Sequence, residues 1–573
     1  MSMRLAVFTG LLAGAAPLAA QGVVVADVII TNARIVTQDA GDRVVPALAI
    51  RGDQVLAAGS VRQMAALKGA NSCVIDARGM TIVPGFADGH VHSKSNTIRP
   101  ETVDLTPVKT MAELLERIVA QVKKSARGDI IVTNADWHEA QLAEQRLPSR
   151  WDLDPISPNN PVVVIRGGHQ YVLNSAALAK WNITRDTVSP PGGAIVRAKD
   201  TARYGDEING ELVDRARDLV IMPERPPLTL DERMATLKAE QARYNALGLT
   251  SVRNPGASLE DMRDYQELAK RGEATVRTSV LVRWDRKTSA ADFRKQLNIW
   301  PMTSGFGDKW VRLDGIKLGV DGGYEGGWMT QPYREPYGQK RKYFGLNTVP
   351  GPLLGDVVKM LNELDLRPST HAVGDAAVDL VLDAYEAAHK ERAIDQRRWA
   401  IEHAFITRPD QIDRIKRLGI IISAQSHLYL AGSSLIEYWG RERAEAVAPV
   451  RSWLDAGLHV AGGTDNKLPY YPESPLLTFY HWVTRDTASA GVLGKAQAIT
   501  RKEALRVATI ENAFLTFEEN IKGRLTPGML ADMVMLDRDI MTVSDAELVD
   551  TRVLGTIVGG KVVFGNETLT CGR

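Results

Sequence analysis

The stretch "TIVPGFADGHVHSKSN", residues 81–96, decides how the chain is read. It runs apolar into a Gly and then places His90 and His92 one residue apart, in a chain with only 10 histidines. A short apolar run bounded by Gly reads as a buried strand reaching its end. Successive side chains of a strand point to opposite faces, so residues two apart share one. Read this way, His90 and His92 present their imidazoles together, as a metal ion requires. The bland alternative is two core or surface histidines with no ligand between them.

Other polar residues close similar runs. His371 stands in "RPSTHAVG", His403 in "WAIEHAF" and Asp465 in "LHVAGGTDN", while Lys317 interrupts "GIKLGV". Helical periodicity follows in "DAAVDLVLDAYEAAHKER" and "DQIDRIKRLG". Repeated strand–helix units argue for an α/β fold with a parallel sheet. No Gly-rich phosphate fingerprint follows the first strand, and the length suits a closed (β/α)8 TIM barrel. The C-terminal ends of barrel strands share one rim, so all six residues converge there. Lys317 needs its own account. An ammonium has no lone pair to give a metal. In an apolar strand it must be paired, deprotonated, chemically changed or extended to the rim.

The two ends of the chain read differently from its middle. "DVIITNARIVT" and "ALAIRGDQVLAAG" near one end, and "ADMVMLDRD" and "RVLGTIVGGKVVFG" near the other, are strand-like. They predict a small β-sandwich assembled from about 26–83 and 515–573, flanking a barrel over 84–514. Residues 100–225 break the strand–helix rhythm and carry "VSPPGGAIV" and "MPERPPL". They read as an insertion after the first strand, overhanging the mouth of the barrel.

Residues 1–20 place one Arg before an apolar stretch ending in small residues, the layout of a cleaved export signal. That implies a periplasmic or secreted protein. No later run is long enough to span a membrane. The formal net charge of +1 excludes a strong field toward nucleic acid or an anionic membrane. The two cysteines, Cys73 and Cys571, are too few for a thiolate cluster. They form a disulfide if the chain ends meet in an oxidising compartment, and are free thiols otherwise. Barrel rims and a two-ended β module both suit a homodimer, and no motif decides the oligomeric state.

The ordered set "HVH", strand Lys, "THAVGD", "IEHAF" and "GGTDN" resembles the amidohydrolase superfamily, as do "TIVPGFADGHVH" and "KGRLTPGMLADMVMLDRD". "NNPVVVIRGGHQYVLNSAAL", "GLTSVRNPGA" and "IKLGVDGG" resemble its branch containing N-substituted formamide deformylase. The resemblance implies the barrel, the composite β domain and one or two divalent metals, usually zinc. It implies that His90, His92 and Asp465 hold one ion and His371 and His403 the other. Lys317, carboxylated by carbon dioxide, would bridge them as a carbamate. It also implies metal-activated water with Asp465 as general base, acting on the C–N bond of a small amide. His169, in the insertion, and His427 are the substrate-binding candidates.

Deamination, ester or lactone hydrolysis, and metal binding without turnover are the competing readings. Ser426 in "SAQSH" and Asn466 depart from the commoner pattern. Trp137 and His138 read as insertion core, and His389, His459 and His481 as structural. Asp375 reads as a helix cap or as a partner that orients His371.

Overall fold

The computed structural model describes residues 24–93, 102–224, 226–299, 302–335, 337–465 and 474–565. The signal-like segment, Asn466 and Cys571 lie outside them, and with Cys571 its pairing with Cys73.

Eight parallel strands follow one another in chain order: β1 (Phe86–Asp88), β2 (Leu249–Ala257), β3 (Arg277–Arg283), β4 (Val311–Gly319), β5 (Pro368–Ala372), β6 (Ala400–His403), β7 (Ile421–Gln425) and β8 (Val460–Gly463). Parallel neighbours need a crossover. Helices such as Gly351–Glu363, Asp375–Glu391 and Pro409–Arg417 supply it. β2 is buried along its whole length, as a sheet covered on both faces demands.

The ring is completed by hydrogen bonds between its first and last strands. Gly89 N donates to Gly462 O at 2.7 Å, and Asp465 N to His90 O at 2.6 Å. The Asp88 carboxylate accepts from Thr464 Oγ1 at 2.7 Å. Closure depends on "GG" in "AGGTD". A Cβ on Gly463 would lie 2.6 Å from His90 N, and one on Gly462 would strike the Trp482 ring.

One expectation is corrected here. β1 ends at Asp88, so His90 and His92 lie beyond the strand, in the turn after it. Strand alternation does not aim them. The turn does, fixed by His90 N donating to Asp88 Oδ1 at 2.9 Å.

Between β1 and β2 the chain builds a separate five-stranded sheet, running from Ile131–Val132 to Ile208–Asp214 in sequence. The chain ends build two more. A four-stranded sheet comes from the N-terminal segment alone. A six-stranded sheet joins both ends, with Thr81–Pro84 antiparallel to Met533–Leu536. Ile30, Leu48 and Ile75 of the first sheet share an apolar cluster with Ile82, Met533 and Met535 of the second. Arg277, at the start of β3, ties the barrel to this module through Asp532 at 2.7 and 2.9 Å. Among the described residues no helix is long and apolar enough to cross a membrane.

Candidate metal centre

The strand ends deliver their polar residues to one place. Asp465 is the hub. Its Oδ1 lies 3.0 Å from His90 Nε2 and 3.1 Å from His92 Nε2. Its Oδ2 lies 3.1 Å from His427 Nε2 and 3.9 Å from His403 Nδ1. The His403 ring stands 5.0 Å from that of His90 and 4.4 Å from that of His371. His169, from the insertion, stacks on His371 at 5.6 Å. Every histidine proposed from the sequence thus joins one chain of contacts.

Backbone conformation helps to gather them. His403 (φ 74°) and Asp465 (φ 60°) both occupy the left-handed region, which side chains other than glycine rarely adopt. Such strain persists only where surrounding structure enforces it, and it concentrates at functional sites.

The imidazoles are held in defined tautomers from behind. His90 Nδ1 donates to Glu402 Oε2 at 2.5 Å, which turns the Nε2 lone pair toward Asp465. His403 Nδ1 donates to Gln425 Oε1 at 2.6 Å, and His371 Nε2 to Gly322 O at 2.9 Å. Glu402 is itself clamped, by Arg253 Nη1 at 2.6 Å and by Ser369 Oγ. Arg253 also binds Asp314 at 2.5 Å, and Asp314 binds Arg367. This buried ionic layer forms a rigid floor beneath the histidines.

The residues present fit a cation. His90 Nε2 and Asp465 Oδ1 are both buried and have no hydrogen-bond partner among the described residues, although they lie only 3.0 Å apart. Two such atoms are costly unless both point at a third party. His90, His403 and Asp465 bring ligand atoms within 4.8 Å of one another, the spacing of a metal site. Imidazole and carboxylate are the donors that zinc and its neighbours take.

A family model described as the amidohydrolase family matches residues 73–564. The chain belongs to the amidohydrolase family. It is 28% identical over 542 residues to N-substituted formamide deformylase of Arthrobacter pascens, covering 93% of this chain and 97% of that one. It is 28% identical over 553 residues to the Arabidopsis thaliana protein LONG AFTER FAR-RED 3, covering 94% and 92%. An uncharacterized metal-dependent hydrolase from Pyrococcus furiosus superposes with a TM-score of 0.63 at 28% identity, over 90% of this chain and all of that one. Together these make the chain a hydrolase with a site able to hold a metal.

In this amidohydrolase the electrostatics follow from burial. Burial pushes the Asp465 carboxyl up, but the neighbouring imidazoles of His90, His427 and His92 outweigh it and hold the pKa well below the usual range. Burial holds His371 well below the usual imidazole range, aided by Lys317 and His169, and does the same to His403, aided by His371, His90 and Lys317 against the pull of Asp465. Burial lowers Lys317 to about 8, against the pull of Glu402 and Asp465. Lys317 makes no ion pair among the described residues.

Several residues that matter here were not singled out from the sequence. Glu402, Gln425 and Arg253 orient the histidines. Their signal was a charged or polar residue inside an apolar strand, the same signal that flagged Lys317. His138 was read as insertion core. It is buried there, hydrogen-bonding Tyr324 in a group with Arg166 and Glu139, and burial lowers its pKa to about 4. Asp375 neither caps its helix nor orients His371. The cap position is Gly374, and the Asp375 carboxylate takes Thr330 N at 2.8 Å and Arg408 at 3.0 Å. The carboxylate beside His371 is Asp321, at 3.5 Å. His459 stacks on Phe514 at 3.9 Å, His481 donates to Asp486 O at 2.7 Å and His389 accepts from Ile394 N at 3.2 Å.

Proposed function

We propose that this amidohydrolase cleaves the C–N bond of an amide-like small molecule, an N-substituted formamide or a related amide. The observation that carries the reading is the pair of buried, unpartnered atoms, His90 Nε2 and Asp465 Oδ1, beside His403. His90, His92 and Asp465 are the ligands for one divalent ion, zinc by expectation. His371 and His403 serve a second. When bound, such an ion supplies a water with a pKa near neutrality.

The chain's own groups do the rest. The neutral Lys317 amine adds to carbon dioxide, forming an N–C bond and releasing a proton to solvent. The resulting carbamate is an oxygen ligand where an ammonium could not be one. Asp465 Oδ2 takes the proton of the attacking water and passes it to the leaving nitrogen. His427, at the same rim, donates to the scissile carbonyl oxygen. His169, held by Asp214 at 2.7 Å, contacts the substrate from the insertion.

The test is a substrate panel on metal-analysed protein. Formate or another carboxylic acid released with an amine supports the reading. Ammonia from cyclic amidines, or acid from lactones, moves it to another reaction of the same superfamily. Tight metal binding with no hydrolysis across the panel replaces it with a metal-binding protein.

A further inference from the structure

The barrel mouth also carries cations that the proposed chemistry does not use. Arg283 is the last residue of β3 and is exposed, whereas the six strand residues before it are buried. Its register partner on β4 is Lys317, whose own partner on β5 is Ser369. Neighbours in register on parallel strands point to the same face. Ser369 binds Glu402 inside the barrel, so this row of three faces inward. Arg283 therefore tops the row that holds the proposed metal-bridging Lys.

The insertion adds more positive charge. Lys287, four residues past β3, reaches Asp218 at 3.6 Å, which brings the β3 loop against the turn Arg215–Leu219. Arg217 in that turn donates to Asp214 O at 3.1 Å, and Asp214 holds His169 over His371. Arg283 and Arg286 make no hydrogen bond or ion pair among the described residues. Arg217 repels Arg283, and Arg215, Arg283 and Arg217 repel Arg286, while Asp465 attracts Arg283 and Asp214 attracts Arg286 without direct pairing.

Crowded guanidinium groups that make no direct ion pair keep their donors free and raise the local positive potential, which favours an anionic ligand. Their planar donor fork matches a carboxylate, which it can bind bidentately. We propose that Arg283, supported by Arg286 and Arg217, is a specificity clamp for a carboxylate on the substrate. The substrate would then be an amide carrying a carboxylate away from the scissile bond, in the manner of an N-acylated amino acid. This rests on the hydrolase reading above and deepens it.

The experiment uses matched pairs that differ only in charge, N-formylglycine against N-formylglycinamide and the N-acetyl equivalents. The quantity is the ratio of kcat/KM for acid over amide, measured on the full metal-loaded protein. The wild-type ratio should exceed ten, chiefly through KM. It should fall at least tenfold in Arg283→Gln and be largely kept in Arg283→Lys, with thermal unfolding used to confirm that both variants fold. A wild-type ratio near one overturns the proposal. So does a ratio that survives Arg283→Gln, since the metal would then be what binds the carboxylate.

Calorimetric binding of benzoate against benzamide separates the two proposals. If no member of the panel is hydrolysed but benzoate binds more tightly and loses that advantage in Arg283→Gln, the hydrolase reading fails and the clamp stands. Equal binding of the two probes overturns the clamp.

Discussion

The floor and the rim of the barrel hold the same kinds of residue in opposite states. On the floor, Arg253, Asp314, Arg367 and Glu402 are joined by short ion pairs and hydrogen bonds and are shut off from water. At the rim, His90 Nε2 and Asp465 Oδ1 have no hydrogen-bond partner, and Arg283 and Arg286 make no direct ion pair among the described residues. Buried charge is tolerable only when paired. Where a fold satisfies its ionic groups internally they serve architecture, and where it leaves them unsatisfied they await something from outside.

That contrast can be broken by experiment. Rim substitutions should cost chemistry and spare stability, and floor substitutions the reverse. Asp465→Asn should lower kcat by roughly ten-thousand-fold, the upper range for removing a general base. Its melting temperature should stay the same or rise, because a strained and crowded carboxylate is relieved. Full turnover in metal-loaded Asp465→Asn would remove this residue from the reaction. Asp314→Ala leaves two buried arginines without their shared partner and should cost about 3–5 kcal/mol in urea denaturation. A loss under about 1 kcal/mol would mean that the floor is not a structural layer.

Glu402 belongs to both regions and sharpens the boundary. Glu402→Gln keeps the shape but weakens the orientation of His90, so metal affinity should drop about 10–100-fold by competitive chelation. An unchanged affinity would show that the floor does not govern the rim.

Near neutral pH the smallest effect concerns His481, a buried histidine away from both regions. Burial lowers its pKa to about 3 from 6.5, with the Arg485 charge adding to the shift. Below pH 6.5 the unfolded chain therefore binds a proton that the folded chain refuses. Stability should fall by about 1.4 kcal/mol per pH unit from this group, down to about pH 3. His481→Gln should flatten that part of the pH–stability curve, and an unaltered slope between pH 6 and 5 would assign the loss to other groups.

The barrel was legible in the sequence because its strands are short apolar runs followed by helical periods. The convergence of His90, His92, His371, His403 and Asp465 was legible because histidines are scarce and these residues stand near strand ends. What escaped notice did so for geometric reasons. Strict alternation sends Glu402 and His403 to opposite faces, yet both serve the site. The left-handed turn at His403 breaks the alternation, and no local pattern announces it. Arg283 drew no reading from the sequence, because only pairing in register places it beside Lys317. The insertion gave composition without topology, so His138 could be assigned to a core but not to the Tyr324 contact that borders the mouth.

The seam between β1 and β8 joins Asp88 to Thr464 across 376 positions of sequence. A ribosome delivers these two partners far apart in time. Until the later one emerges, His90 and His92 would offer the proposed ion only half a cage. On the proposed ligand set, capture of the ion at full strength would be one of the last steps in the maturation of this hydrolase, and a chain stalled before β8 should leave the ribosome unable to retain it.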